Sequence, residues 1–407
     1  MHALGIVIFG ITYVLIAARR LSIAGLDRPA AAMMGAVACV AFGVLTPTEA
    51  LDAVDGPTLL LLFGVMGMGA FLALDGFFDA LEPHLVARAK TPTRLLGMVV
   101  WGAGLLSALI TNDAVCVLGA PLVVRLVQRH RLPALPFLLA LATGANTGSV
   151  ATLVGNPQNM LCGILGELSY LDFATRMVPV AVVGLALNHG LLRLLFGREL
   201  GAASLAPATA TAPLRGRHHA TLAVIVLTAV GYGLGLPLAW TAVGGLAILM
   251  LLHRRDAREL WPRIDWALLL FFAGLFVVVE GLVASGAPAW VFARFPLAEL
   301  VAGPFGEAQL AALFLVGSNV VSNVPFILVV AEPMRGLPDP TLGWQLLAMA
   351  STFAGNLTLL GSVANIIVAE AGRDVGGLGF IAHLRVGAPI ALVTTLAGTA
   401  WLWWLAG

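Results

Sequence analysis

The chain has 407 residues, 60% of them apolar and only 11% charged, with a formal net charge of +1 and a mean hydropathy of +0.98. This composition describes a polytopic integral membrane protein and excludes a soluble domain, and the near-neutral charge gives no footprint for nucleic acid or an acidic partner. Three cysteines (Cys39, Cys116 and Cys162) lie in apolar sequence and argue against a disulfide framework.

In chain order, apolar runs long enough to span a membrane lie at 4–18, 29–46, 57–80, 134–166, 175–197, 219–235, 238–253, 264–285, 342–372 and 384–405. The first run lacks a charged leader and a small-residue cleavage site, so it reads as a retained helix rather than a cleaved signal. The 46 glycines suit membrane helices that pack closely or break.

Two further apolar blocks, 95–127 and 308–335, behave differently. The first is flanked by Arg88, Lys90 and Arg94 before it and by Arg125, Arg129 and Arg131 at its end. By the excess of basic residues on the cytoplasmic side, both of its ends are cytoplasmic. Its limbs, 95–110 and 114–127, are about 21–24 Å long as helices, short of the hydrocarbon core of roughly 30 Å. A re-entrant helical hairpin with its tip at Thr111-Asn112-Asp113 follows, and the second block places its tip at Ser322-Asn323. The clusters around Arg19, Arg20 and Arg28, around Arg193, Arg198, Arg215 and Arg217, and around Arg254, Arg255, Arg258 and Arg263 fall on the same side, which leaves the N-terminus external.

The blocks are copies. SALITNDAVCVLGAPL (Ser107 to Leu122) and TLVGNPQN (Thr152 to Asn159) return about two hundred residues later as SNVVSNVPFILVVAEP (Ser318 to Pro333) and TLLGSVAN (Thr358 to Asn365). Ser107, Thr111 and Asn112 fall opposite Ser318, Ser322 and Asn323; Thr152, Gly155 and Asn159 fall opposite Thr358, Gly361 and Asn365. An odd number of crossings between corresponding spans puts the copies in opposite orientation. The expected fold is an all-α polytopic membrane protein of two inverted repeats, each with five transmembrane spans (one broken) and one re-entrant hairpin. The first repeat covers 1–198, a cytoplasmic linker 199–218, and the second repeat 219–407, with broken helices at 134–166 and 342–372. Duplicated breaks of this kind point to a transporter with a binding site at the membrane midplane.

The breaks are where chemistry gathers. Backbone groups freed at membrane depth survive only when buried in protein or lining a wet cavity. Half-helix starts aim their N–H groups at such a site. Thr111, Asn112, Gly155, Asn156, Ser322, Asn323, Gly361 and Ser362 are therefore candidate substrate-binding residues, and helix capping is the simpler role open to several of them. Gly155-Asn156-Pro157-Gln158-Asn159 is expected to break its helix, since proline removes a donor and clashes with the preceding turn. Ser107, Ser318, Thr152, Thr358, Asn159 and Asn365 are candidate ion-binding residues.

Asp113 faces Val324 in the alignment and so breaks the symmetry. A carboxylate at membrane depth marks a functional site, here for substrate and proton coupling, with a salt bridge or cap as the alternative. Asp75 and Glu280 align as Asp75-Gly76 and Glu280-Gly281 and read as carboxylates near span ends. Cys116, a possible soft ligand for a metalloid, reads as filler, and His189 as a packing residue. No nucleophile–base pair, metal-ligand cluster or cofactor motif stands out, so no catalytic, metal or cofactor role is expected.

The elements TND with its following cysteine (Thr111 to Cys116), ATGANTGSVATLVGNPQN (Ala142 to Asn159), SNVP (Ser322 to Pro325) and GNLTLLGSVAN (Gly355 to Asn365) resemble the ion-transporter superfamily of inverted-repeat permeases. Within it, the chain is most similar to arsenite permeases and plant silicon efflux transporters, of divalent anion/sodium symporter-like fold. The resemblance implies a scaffold domain that dimerises and a transport domain of hairpins and broken helices. It also implies efflux of an uncharged oxyacid, such as arsenite or silicic acid, in exchange for protons across the cell (inner) membrane. Relatives that carry dicarboxylates use Ser-Asn-Thr at both tips, whereas this chain has Thr-Asn-Asp and Ser-Asn-Val. A sodium-coupled anion symporter and a sodium/proton antiporter remain the alternatives on the same scaffold.

Overall fold

The computed structural model describes residues 3–18, 27–206, 216–303 and 305–406, and all regular structure among them is helical. Helices α1 (Ala3–Ala18), α2 (Arg28–Ala41), α3 (Pro47–Asp52) and α4 (Gly56–Leu74) lead through α5 (Phe77–Ala89) to a helical hairpin, α6 (Pro92–Leu109) and α7 (Asn112–His130). The interrupted pair α8 (Ala134–Ser149) and α9 (Pro157–Leu165) precedes the long α10 (Tyr170–Ala202). The second half runs α11 (Gly216–Gly233), α12 (Leu238–His253), α13 (Ala257–Leu260), α14 (Trp266–Ala284), α15 (Ala287–Arg294) and α16 (Leu297–Val301). It continues with the hairpin α17 (Gly306–Val321) and α18 (Asn323–Met334), the interrupted pair α19 (Pro340–Leu357) and α20 (Val363–Ala371), and α21 (Phe380–Ala406).

The helix starts repeat in register. Arg28 and Leu238, Pro47 and Ala257, Gly56 and Trp266, Phe77 and Ala287, and Tyr170 and Phe380 are each 210 positions apart. Local chemistry sets many of these starts: Asp27, Thr46, Asp55, Thr91, Asp265 and Asp339 cap their helices, most of them with proline in the first turn. Five segments are long and apolar enough to cross a membrane: Pro47–Leu74, Pro92–Leu109, Tyr170–Ala202, Trp266–Ala284 and Phe380–Ala406.

Packing sorts the helices into two groups. In one, α1, α2 and α14 pack together, as do α4, α11 and α12; the other joins α6–α10 with α17–α21. Backbone-close contacts fix directions in the first group. Gly274 lies against Ala32 and Gly281 against Cys39, so α2 and α14 run parallel. Gly64 against Ala242 and Gly67 against Leu246 make α4 and α12 parallel as well. In the second group the halves interlock, α7 packing on α20 and α18 on α9.

Four expectations need correction. The first break opens earlier than the glycine-proline run suggests, spanning Val150 to Asn156, and Pro157 begins α9 instead of kinking a helix, because a first-turn position needs no N–H. The limbs of the first hairpin hold 18 and 19 residues, about 27–29 Å, so they come close to the roughly 30 Å hydrocarbon core instead of falling well short of it. Asp75 does not pair with Glu280: Asp75 ends α4 where Ser285 ends α14, and each precedes a left-handed glycine, Gly76 at φ +71° and Gly286 at φ +76°. Finally, α10 runs to Ala202 and α11 begins at Gly216, so helix occupies both ends of the 199–218 linker. Residues 207–215, which include Arg215, and Arg19 and Arg20 lie outside the described residues.

Candidate functional site

Both hairpin tips and both helix breaks meet in one cavity of about 70 Å³. Asn112 and Asp113 enter from the first tip, Ser322, Asn323 and Val324 from the second, Pro157 and Gln158 from the first turn of α9 just past the first break, and Leu360 to Val363 from the second break and the start of α20. The opposite wall is Tyr13, Ile16, Arg28, Leu268, Phe271 and Phe272, from α1, α2 and α14. The volume has room for roughly five water molecules.

Each tip is a near-minimal turn. Extended Ile110 and Thr111 join α6 to α7, with the Thr111 hydroxyl accepting from the Ala114 amide at 3.3 Å. Ser322 alone joins α17 to α18 at φ +71° and ψ 149°, a conformation that costs any residue with a Cβ. The tips rest on the breaks: the Asn112 amide donates to the Gly155 carbonyl at 2.9 Å, and Asn323 Nδ2 to the Gly361 carbonyl at 3.2 Å. A Cβ at Gly155 would lie 2.1 Å from the Ser149 carbonyl oxygen and one at Gly361 2.7 Å from that of Ala354, so the close fold of each break requires glycine.

Two asparagines close the breaks in the same way. Asn159 Nδ2 donates to the carbonyls of Ser149 and Thr152 at 3.2 and 2.9 Å; Asn365 Nδ2 donates to those of Gly355 and Thr358 at 2.7 and 3.2 Å. All four acceptors are 206 positions apart in pairs, and these bonds satisfy carbonyls that a helix end leaves open. The oxygens of the same asparagines accept from the other half, Asn159 Oδ1 from Thr352 and Asn365 Oδ1 from Asn146, both at 2.9 Å.

Asn146 is a hub, fully buried. Its Nδ2 also donates to Asn356 Oδ1 at 3.1 Å, and its Oδ1 accepts from Asn112 Nδ2 at 2.9 Å and Ser362 Oγ at 3.1 Å. Asn156 caps α9 through the Asn159 amide and donates to Ser149 Oγ and Thr352 Oγ1 at 2.8 and 3.0 Å.

Several buried oxygens have no partner among the described residues, including two matched pairs, Asn112 Oδ1 with Asn323 Oδ1 and Ser107 Oγ with Ser318 Oγ, and Gln158 Oε1. Buried polar atoms are ordinarily satisfied, so these are the atoms a ligand or ion can engage. The Asp113 carboxylate reaches the Ala364 backbone amide at the start of α20, and Arg28 and Asp265 act on it through space.

Residues 13–354 match the family model described as a citrate transporter. The chain belongs to the citrate transporter family. It is similar to the silicon efflux transporter LSI3 of Oryza sativa subsp. japonica, 30% identical over 97% of this chain and 96% of that protein. A transporter of Dictyostelium discoideum named arsB is 25% identical over 92% of this chain and 86% of its own length. The crystal structure of the Alcanivorax borkumensis YdaH transporter shares the fold with a TM-score of 0.55 at 18% identity, covering 89% of this chain and 87% of that one. The protein is thus a multi-pass membrane transporter of the ion transporter superfamily.

Of the substrate-site candidates, Asn112, Asp113, Ser322, Asn323, Gly361 and Ser362 line the cavity. Thr111, Gly155 and Asn156 stand behind it, shaping the tip and the break. Among the ion-site candidates, Thr152 donates to the Ala108 carbonyl at 2.7 Å and Thr358 to Asn319 Oδ1 at 3.1 Å. Asp75 sits apart, buried between α4, α11 and α12, where its carboxylate accepts from Thr221 at 2.7 Å and lies 3.5 Å from His253 Nδ1 and 3.9 Å from Arg255. His189 Nδ1 accepts from Trp101 Nε1 at 3.4 Å, and Cys116 is a free, buried thiol.

Sequence reasoning missed Asn146, Thr352, Gln158, Tyr13 and Arg28. For Asn146 and Thr352 the signal was available, since polar residues at equivalent places in two apolar helices are as informative as duplicated breaks. Arg28 had been assigned only to a topology-setting cluster.

Proposed function

We propose that this protein is a proton-coupled antiporter of the cell (inner) membrane that exports a small uncharged oxyacid, of the arsenite or silicic acid type. The observation that carries the reading is one cavity of about 70 Å³ whose acid is Asp113 and whose other polar groups are neutral amides, hydroxyls and one guanidinium. A tricarboxylate needs more room and meets repulsion from an ionised Asp113; a small hydroxylated molecule can donate to that carboxylate and to the bare oxygens of Asn112, Asn323 and Gln158. Protonation of Asp113 removes its acceptor capacity and releases the substrate. The rice relative's name, a silicon efflux transporter, supports the same class.

The two halves are inverted. Five crossings (α4, the α8–α9 pair, α10, α11 and α12) separate the start of α4 from the start of α14, which supports opposite orientation. Both hairpins are re-entrant, and the N-terminus is external, a reading supported by the basic residues at the start of α2, at the end of α5 and between α12 and α14. The group containing both hairpins slides on the group containing α1, α2, α4, α11, α12 and α14, which also forms a homodimer.

The size of that slide follows from the repeat. A Cβ on Gly69 of α4 would sit 3.5 Å from the Ala114 Cβ beside the first tip. The second tip shares the cavity with Phe271 and Phe272 of α14, seven to eight residues nearer the helix start than position 279, the counterpart of Gly69. Exchanging the halves moves the tips about 10–12 Å along these helices. Both present contacts lie toward the basic face, the arrangement of a site open to the cytoplasm.

A panel of arsenite, silicic acid, dicarboxylates and sulfate in proteoliposomes, under separate proton and sodium gradients, tests the reading. Arsenite or silicic acid is expected to move against an imposed pH gradient without sodium, and Asp113→Asn to abolish that movement in folded protein. Normal activity of the variant removes Asp113 from the mechanism.

A second reading, a sodium-coupled anion symporter, rests on the matched bare oxygens of Ser107 with Asn112 and Ser318 with Asn323, one set beside each tip. Sodium-dependent uptake with net charge movement selects it. A sodium/proton antiporter on the same residues is distinguished by transport that needs no oxyacid.

A further inference from the structure

The cavity wall facing the tips is asymmetric between the halves in one respect that bears on coupling. Arg28 is the cation and Asp113 the anion among the described residues that line the cavity. Arg28 is the first residue of α2, which the Ala32–Gly274 and Cys39–Gly281 contacts hold firmly along α14, whereas Asp113 rides on the hairpin group. Sliding the hairpins therefore separates the two charges.

The corresponding wall of the other half is built from α11, α12 and α4. Position 28 becomes Leu238, again the first residue of its helix, and Leu268, Phe271 and Phe272 become Thr58, Leu61 and Leu62. A Cβ on Gly35 would lie 2.3 Å from the Thr12 hydroxyl and one on Gly245 2.4 Å from that of Thr228, which aligns Tyr13 and Ile16 with Ala229 and Tyr232. Two charges act on Asp113 from the present wall, Asp265 and Arg28. Asp265 has an equal in Asp55: each caps its helix, at 2.9 Å to the Leu268 amide and 2.6 Å to the Thr58 amide. The remaining polar groups of the present wall have structural tasks, the Tyr13 hydroxyl donating to the Val320 carbonyl and Asp27 capping α2 through the Ala30 amide at 2.8 Å. Among the described residues, Arg28 is the wall charge that acts on Asp113 and has no equal in the other half.

We propose that Arg28 is a state-dependent counter-charge, standing over Asp113 when the site opens to the cytoplasm and replaced by the uncharged Leu238 wall when it opens outward. This inference rests on the proton-coupled reading above. Burial and the Asp265 charge oppose the ionised carboxylate, and Asp55 repeats the second of these on the other side; the guanidinium across the cavity favours ionisation on one side alone, so Asp113 gives its proton to water more readily on the cytoplasmic side. The cavity then offers an acceptor and a donor on facing walls, which suits a neutral molecule carrying several hydroxyl groups. On the other side the carboxylate faces Leu238, Leu61 and Leu62, takes a proton from outside water and loses its hold on the substrate. One proton enters from outside and leaves to the cytoplasm per cycle, and the oxyacid travels the other way.

The test uses the full-length protein in vesicles of known sidedness, with arsenite as the probe and the pH of each face varied separately. Arg28→Leu is expected to move the cytoplasmic-face pH profile of transport by about one unit or more toward alkaline, with the outer-face profile unchanged, and Arg28→Lys to keep most of the native profile. Leu238→Arg is expected to move the outer-face profile toward acid. An unmoved cytoplasmic profile in folded Arg28→Leu, or an equal shift at both faces, overturns the proposal. Should Arg28→Leu not fold, an unmoved outer profile in Leu238→Arg overturns it alone. Persistent pH-driven transport in Asp113→Asn instead defeats the underlying reading, whatever the Arg28 variants do.

Discussion

Asn146 and Thr352 occupy equivalent positions in α8 and α19, and each donates at 2.9 Å to the asparagine oxygen that closes the opposite half's break. The two interruptions are therefore held open by each other. Hydrogen bonds inside a membrane protein are individually modest, but a hub with four of them, all buried, leaves several groups bare when removed.

Asn146→Ala is accordingly expected to lower unfolding stability by about 2–4 kcal/mol and to abolish transport, because Asn112, Ser362, Asn356 and Asn365 all lose a partner. Asn146→Thr, which installs the other half's residue, should recover part of both. Thermal unfolding in detergent decides this: a native midpoint in Asn146→Ala removes the bracing role.

Ser322 holds the second tip with a positive φ of 71°. Ser322→Gly is expected to raise stability by about 1 kcal/mol by relieving that backbone, while Ser322→Ala, which keeps the Cβ, should not. Equal melting shifts in the two variants would show that the hydroxyl, not the backbone, matters.

The Gly69–Ala114 approach of 3.5 Å between Cβ positions falls within the range of a disulfide. Gly69→Cys with Ala114→Cys, in a background without Cys39, Cys116 and Cys162, should form a bridge on oxidation and arrest transport until reductant is added. Moving the first cysteine to position 62 should give a bridge only from the outward-open arrangement. Unchanged transport by the fully bridged Gly69 variant rules out the slide.

Binding should also depend on pH with a definite sign. An ionised Asp113 accepts hydrogen bonds and a protonated one does not, so equilibrium arsenite binding at equal pH on both faces should weaken as pH falls. The Asp113→Asn variant should bind weakly at every pH. Tracer binding across the range checks this, and binding that strengthens in acid contradicts the assignment.

Much of the fold was legible because its signals are local or duplicated. Apolar runs located α1, α2, α4, α10, α11, α12, α14 and α21, and the copied polar motifs located both tips and both breaks. The detail of the first break was misjudged because proline reads equally as a kink and as a first-turn residue, and only the cap at Asn156 decides between them. The pairing of Asp75 with Glu280 failed because a shared acid–glycine dipeptide outweighed the helix register that Gly76 and Gly286 reveal. The wall could not be read at all. Arg28 and Asp113 come to share one cavity through the packing of α1, α2 and α14, contacts far apart in sequence that no repeat or period encodes.

The reciprocal bracing has a consequence for how such a protein can be divided. A first half made alone would leave the Asn146 amide nitrogen and the Asn159 oxygen without their partners, and a second half would strand the Thr352 hydroxyl and the Asn365 oxygen. Cut within 207–215 and produced as separate polypeptides, the two pieces should find one another in the bilayer and restore activity, whereas neither piece by itself should persist as a folded species.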